Sequence, residues 1–449
     1  MSAATQTGTP KPSLTLFDAV AMIVGLIVGA GIFGTPSIVA GAVETEGLLI
    51  TVWVIGGIFS ILGALCYAEL ATAFPSAGGE YHFLQRAFGS SLAFLYGWAR
   101  MTVIVAGSIA VFAYLFGDYM TRVINLGAYS SAIWAALIVG VLTLVNYVGI
   151  REGKVTQNIF TVLEVGGLVL IVVAGLLLAP APAPAAAAAA GSGQPWYIGA
   201  GIGSAMVFVL FTYGGWNDAA YISAEVRDRD RNMVRALLFA ISLVTLLYVL
   251  VNLAYLKGLG YHAMSRSDAV AADLMKAVWG TGGEKLISIM IAIAALTSVN
   301  GSMIVGARSN YALGRDWPVL GFLGRWDEAS GSPRTAMLVQ GLIALALVVF
   351  GAIQNAGFKG LVEYSLPVFW GFFLLVGVAL FVLRAKEPNA PRPFRVPGYP
   401  VVPAIFVLMC GYLLYSSLAY HRTHAFVGLG VLAVGAVVML VARRRRNTL

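Results

Sequence analysis

"IVGLIVGAGIFGTPSIVA" runs from Ile23 to Ala40, and its reading decides the fold. A segment of about 20 apolar residues is the length that crosses a hydrocarbon core. This one carries Gly25, Gly29, Gly31, Gly34 and Pro36. Within a helix each glycine costs about 1 kcal/mol relative to alanine, and proline about 3. The stretch therefore reads as a membrane helix made to be interrupted, provided the rest of the chain is a membrane protein.

Composition says that it is. Of 449 residues, 59% are hydrophobic and 11% charged, where soluble domains carry roughly 25% charged residues. Twelve apolar runs begin near Phe17, Leu48, Leu92, Ala132, Ile159, Ile198, Met233, Leu286, Ala336, Leu361, Val401 and Ala425, here spans 1 to 12. They leave no stretch long enough for a sizeable soluble domain. The polar first sixteen residues and the apolar run behind them lack a signal-peptide cleavage pattern. Cys66 and Cys410 both fall inside spans and read as packing residues, not as a disulfide or metal site.

The net charge of +8 is unevenly placed. With a cytoplasmic N-terminus and alternating spans, the inside segments hold 20 Lys and Arg. The outside segments hold seven: Arg122, Lys257, Arg266, Lys276, Lys285, Lys359 and Arg422. That asymmetry places both termini in the cytoplasm. The run Arg443 to Arg446 then faces anionic membrane lipid, not nucleic acid.

One low-complexity stretch, Ala179 to Pro195, alternates Pro and Ala on the outer side between spans 5 and 6. It reads as a semi-rigid connector. The segment Ala269 to Trp279 has helical spacing and is expected to lie as an outer amphipathic helix. Span 1 is interrupted by "GAG" at Gly29–Gly31, and five spans later span 6 is interrupted by "YGGWN" at Tyr213–Asn217. Five is odd, so the second set of five enters the membrane from the opposite side. Matching Gly-interrupted spans in two halves mark the site of an inverted-repeat transporter. Unwound backbone at mid-membrane can line a cavity instead of lipid. Close helix packing would account for Gly25 alone, but not for two clusters in corresponding spans.

At this point a resemblance is evident. "VGAGIFGTP", "GALCYAELATAFPSAGGEY", "FTYGGWNDAAYISAEV", "SVNGSMIVGARSNYALGRD" and "RPFRVPGYPVVP" resemble the L-type branch of the amino acid–polyamine–organocation superfamily. The motifs occur in order from span 1 to the loop before span 11. The resemblance implies an all-α membrane protein with 12 transmembrane helices, a LeuT-type 5+5 inverted repeat and discontinuous helices 1 and 6. It divides the chain into a cytoplasmic tail (1–16), a first repeat (17–179), an external linker (180–197), a second repeat (198–385), two further helices (386–442) and a basic tail (443–449).

In such a site a half-helix N-terminus suits the substrate carboxylate, and C-terminal carbonyls suit its ammonium. By resemblance the carboxylate lies against Gly29, Ala30 and Gly31, and the ammonium meets carbonyls around Ile27 and Phe211, Thr212 and Tyr213. Gly214 and Gly215 leave room for a side chain, while Phe211 and Trp216 are gate or pocket walls. Two departures stand out. The family's break usually reads Gly-Ser-Gly, and here position 30 is Ala30, so a hydroxyl near the carboxylate is missing. Many relatives carry lysine where this chain has Glu164, beside the span-1 break, where its ammonium takes the place of a sodium ion in LeuT-like carriers.

An intramembrane carboxylate is a functional hypothesis by default. Glu164 could exchange a coupling proton, ligate a cation, or form a fixed pair with Arg100, the only basic residue well inside a span. Asp218 follows the span-6 break; it matches an acid of cationic amino acid carriers or caps the second half-helix. Glu69 and Glu225 are expected to pair with loop arginines such as Arg227 as an inner gate. His82, His262, His421 and His424 are scattered through loops, and no HExxH, paired-Cys or Walker motif appears. Gly428–Gly430 reads as helix packing.

The expected function is secondary transport of small or medium neutral amino acids by proton-coupled symport or exchange, with sodium the lesser candidate and no cofactor, metal or enzyme activity. Cationic amino acid or polyamine transport is the alternative, and a transporter-like sensor or channel a remote one. The outer loop between spans 3 and 4 lacks the cysteine through which eukaryotic L-type members bond a glycoprotein heavy chain. A prokaryotic inner-membrane protein without that partner is expected.

Overall fold

The computed structural model describes residues 14–29, 31–76, 78–149, 154–180, 200–219, 226–327, 332–420 and 422–446. Among them the regular structure is helical, with two isolated bridges, Leu14 to Val226 and Asp327 to Ser332. Nine helices are long and apolar enough to cross a membrane, and Leu16–Ile27 with Gly31–Ala42 forms a tenth crossing as a pair bent by 51°. At span 5 the helix Lys154–Val173 continues as a π turn to Leu178, and at span 6 the described helix Ala200–Thr212 has 13 residues. The twelve expected spans are thus matched by ten crossings on the described residues. The linker 180–197 lies almost wholly outside them, as do Ala30, Glu225 and His421.

Helix starts follow the capping residues. Thr15 caps span 1: its Oγ1 accepts from Asp18 N–H, and Asp18 accepts from Thr15 N–H at 2.9 Å. Arg227 N–H donates to Leu14 C=O at 2.9 Å, which ties the start of span 1 to the segment after span 6. Thr45 caps span 2, Glu46–Ala73.

Burial orders the bundle. Span 3, Ser90–Val123, is the central post, with 83% of its apolar window buried. Spans 11 and 12, Val401–Tyr420 and Arg422–Arg446, keep 33% and 22% buried, as lipid-facing helices must. Small residues set the close approaches. A Cβ on Gly117 would stand 2.1 Å from Ser131 C=O. One on Gly428 would stand 2.2 Å from Tyr364 C=O, so of the two glycines expected to pack, Gly428 does, while Gly430 faces open space.

The expected outer helix at Ala269–Trp279 forms as the first part of Val270–Asp316, set off from span 8 by non-helical Trp279 and Gly280. Its apolar face, Val270, Ala271, Leu274 and Met275, is buried against the bundle. Near it Arg122 lies 3.4 Å from Asp273 and 3.7 Å from Glu284.

One expectation holds in part and one is corrected. Glu69 does pair with arginines, the loop residue Arg392 and Arg384 at the end of span 10, but not with Arg227. It is 1% exposed and takes a two-pronged bond from Arg384 at 2.8 and 2.6 Å, with Val396 N–H at 2.7 Å and Arg392 at 3.6 Å. A fully buried carboxylate needs several donors, and the segment after span 10 folds back to supply them. His82 and His424 are not in loops. His82 lies on the short helix Gly79–Phe88, and His424 on span 12, 2.8 Å from Glu363.

Candidate functional site

The first half of span 1 stops at Ile27. Val28 N–H still reaches Val24 C=O at 2.7 Å, but Gly29 N–H turns back to Ile27 C=O at 2.8 Å. The second half starts at Gly31, and the first N–H groups of a helix have no partner within it. Span 6 breaks after Thr212. Gly214 N–H donates to Phe211 C=O at 3.0 Å, Gly215 turns left-handed at φ 110°, and a single 3-10 turn, Trp216–Asp218, follows.

The two breaks meet backbone to backbone. A Cβ on Gly215 would lie 2.1 Å from Leu26 C=O, so position 215 needs glycine both for its φ and for this approach. Tyr248, fully buried on span 7, joins them: its hydroxyl lies 3.0 Å from Ile27 C=O and 3.3 Å from Thr212 C=O. These are two of the carbonyls assigned to the substrate ammonium by resemblance. Sequence reading missed Tyr248, which looks like any span-7 aromatic until the breaks converge on it.

Around the breaks lies a cavity of about 490 Å³, within the usual range for small-molecule sites. Ile27, Gly29, Gly31, Phe211, Thr212, Gly214 and Gly215 line it, as do Arg100, Glu164 and Asp218. Thr297, Ser298 and Asn300 of span 8 give it a polar wall; Phe112 and Phe369 add apolar surface. Asn300 accepts from Asn146 at 2.7 Å, which fixes that wall to span 4.

Two assigned residues stand apart from this lining. Tyr213 is buried, its hydroxyl donating to Trp53 C=O at 2.9 Å and its ring 5.1 Å from that of Tyr248. Trp216 packs edge-on to Tyr67 at 5.0 Å and Phe373 at 5.6 Å, behind the break. Around the distorted turn Gly214, Gly215, Asn217 and Asp218 line the cavity, while Tyr213 and Trp216 are turned away from it. The "YGGWN" cluster therefore contributes its glycines and Asn217, and turns its large aromatics into packing.

Charges in the cavity are also distributed differently from one expectation. Arg100 begins a π turn, Arg100–Ile104, in span 3, an irregularity common at functional sites. It lies 3.6 Å from Glu80 and 3.7 Å from Asp218 and donates to Tyr96 Oη at 3.2 Å and Ser309 Oγ at 3.3 Å. The fixed Arg100–Glu164 pair is not formed. Glu164 is 8% exposed, and its Oε1 has no hydrogen-bond partner among the described residues.

An all-helical membrane bundle with two broken helices facing one cavity, largely apolar with a few polar and charged groups, defines an internal-site membrane carrier. The chain belongs to the amino acid permease family, which it matches over residues 14–441. It is 30% identical to the human b(0,+)-type amino acid transporter 1 over 431 residues, 94% of this chain and 86% of that protein. It is also 30% identical to the human large neutral amino acids transporter small subunit 2 over 447 residues, covering 95% and 80%. The protein is an amino acid permease of the L-type-like branch, and not an enzyme.

Proposed function

We propose that this permease is an alternating-access carrier of small or medium neutral amino acids, driven by proton symport or by exchange. The observation that carries the reading is the convergence of the two unwound backbones on one cavity. There the N–H groups that open the second half-helix at Gly31 suit a carboxylate, and the carbonyls of Ile27 and Thr212 suit an ammonium. Thr212 C=O keeps a second lone pair while Tyr248 uses one; Ile27 C=O already accepts from both Tyr248 and Gly29 N–H, so an ammonium there replaces one of them.

Pairing of Asp218 with Arg100 favours a neutral substrate side chain over a cationic one, because the acid that would hold a second positive charge already has one beside it. The name of one relative, a transporter of large neutral amino acids, agrees with that preference. Glu164, buried in the wall beside the breaks, serves as the proton site. Gaining a proton on one side and losing it on the other lets the loaded cavity cross without a net buried carboxylate. Both termini are cytoplasmic, and the protein works in a prokaryotic inner membrane without a disulfide-linked heavy chain.

The test is uptake by purified protein in liposomes from a panel of labelled amino acids, under imposed proton or sodium gradients. Saturable, stereoselective uptake of neutral amino acids enhanced by an inward proton gradient is expected. Uptake restricted to lysine and arginine, or driven by sodium alone, would refute it.

A further inference from the structure

Glu80 is not itself part of the cavity lining, yet three hydrogen-bond donors and a guanidinium, from spans 2, 3 and 6, converge on it. Tyr67 of span 2 donates to Oε1 at 3.0 Å, and Asn217, beyond the span-6 break, donates to the same oxygen at 3.0 Å. Tyr96 of span 3 donates to Oε2, with Arg100 3.6 Å from that oxygen. Glu80 itself sits on the short helix Gly79–Phe88 and is 2% exposed.

Asn217 is the consequential partner, because it lines the cavity and its amide has two unlike ends. Its Oδ1 accepts from Gly215 N–H at 3.2 Å, at the left-handed residue of the break. Its Nδ2 donates to Glu80 and lies 3.4 Å from Asp218 Oδ1. An ionised carboxylate can only accept hydrogen bonds. Facing Glu80 and Asp218, the amide must present its NH2 group to them and its oxygen to Gly215. Turning it over would set oxygen against oxygen and leave Gly215 N–H unmet.

We propose that Glu80 is a positioning residue for substrate binding: it fixes the orientation of the Asn217 amide and, through Gly215 N–H, the backbone shape of the span-6 break. The same carboxylate shares Arg100 with Asp218, so the charge balance at the cavity edge also depends on it. This inference rests on the reading of the cavity as the substrate site.

The chemistry suggests an exchange of roles as the test. Glu80→Gln keeps the shape but offers a donor, so the Asn217 amide loses its directional constraint. Asn217→Asp sets two carboxylates face to face. In the double variant, E80Q/N217D, the new amide donates to the new carboxylate, which still accepts from Gly215 N–H, and the local net charge is unchanged. Kinetics are read in liposomes with whichever labelled neutral amino acid the wild type exchanges fastest, alongside thermal unfolding. Each single change is expected to raise KM roughly tenfold and to lower the melting temperature, while the double, which shares with N217D only the new contact to Asp218, recovers most of the KM loss of that single.

A residue with a merely structural role would lower stability and leave KM alone. Singles with unchanged KM, or a double no better than its worse parent, overturn the proposal. If Glu80→Gln fails to fold, Asn217→Asp and the double still make the comparison. Should the wild type exchange no amino acid, the transport reading fails instead. Recovery of melting temperature in the double then still reports whether Glu80 orients position 217.

Discussion

At the scale of single residues, Gly215 and Glu164 are the most informative. A side chain at position 215 meets both an unfavourable φ, costing about 1–3 kcal/mol, and the Leu26 carbonyl at 2.1 Å. Gly215→Ala should push the two breaks apart and abolish uptake, with a lower melting temperature. Wild-type uptake by that variant would mean that the breaks do not touch. At Gly31 the nearest atom to an added Cβ is Thr212 Cγ2 at 3.6 Å, ordinary contact distance. Gly31→Val should therefore fold normally and lose uptake, because it fills cavity space and stiffens the break.

For Glu164 the absence of an ion-pair partner among the described residues changes what Glu164→Gln should do. The substitution leaves no cation stranded, so the melting temperature should stay within about 2 °C of wild type. Exchange should persist and proton-driven accumulation should vanish. Accumulation that follows the pH gradient in this variant would remove Glu164 from the coupling role.

At the scale of elements, the π turn of span 3 and the segment after span 10 hold the site's frame. Arg100 sits between Glu80 and Asp218, so Arg100→Met leaves two carboxylates near each other in low dielectric. Breaking a buried ionic cluster from one side typically costs about 3–5 kcal/mol. The expected result is a protein recovered in much lower amount, with stability partly restored by adding Asp218→Asn. If Arg100→Met alone melts like wild type, the cluster contributes nothing.

The segment after span 10 is pinned at three points. Glu69 takes Arg384, Arg392 and Val396 N–H, Lys386 donates to Ala87 C=O at 2.8 Å, and Glu387 takes a two-pronged bond from Arg86 at 2.6 Å. That bond holds the Glu387 carboxyl below its ordinary range. A carboxyl lowered in the folded state adds stability above its unfolded pKa, and the gain fades as pH falls through the folded one. Acid should loosen this outer fastening first, because Glu387 is partly exposed while Glu69 is not. Amide exchange across Glu387–Val396 should rise at low pH in wild type, and be already raised at neutral pH in Glu387→Gln.

At the scale of the whole molecule, a central, almost fully buried span 3 is surrounded by helices with one lipid-facing side, and the two broken helices meet beside it. The lining groups described form one cavity within this chain, and the proposed carrier is expected to transport amino acids without a second polypeptide. Liposomes containing the purified chain alone should therefore take up substrate. A strict requirement for an added subunit would contradict that expectation.

The sequence by itself determined the membrane environment, the positions of most crossings and the two breaks. Each rests on local properties: a run of apolar side chains long enough to span lipid, and glycine or proline where a helix cannot continue cheaply. Its motifs also carried the family. Which side chains meet was decided only by the tertiary structure. Arg100 and Glu164 are two intramembrane charges that composition invites one to join, but packing gives Arg100 to Glu80 and Asp218 and leaves Glu164 in the cavity wall. Tyr213 and Trp216 look like pocket residues in "YGGWN", and the distorted turn sends both into packing. Tyr248 carries no local signal, and Glu80, although inside the family-like "SAGGEY" motif, carries none that says what it touches. Their roles come from distance and direction across the bundle, where a buried hydroxyl or carboxylate must find partners far away in sequence because the lipid supplies none.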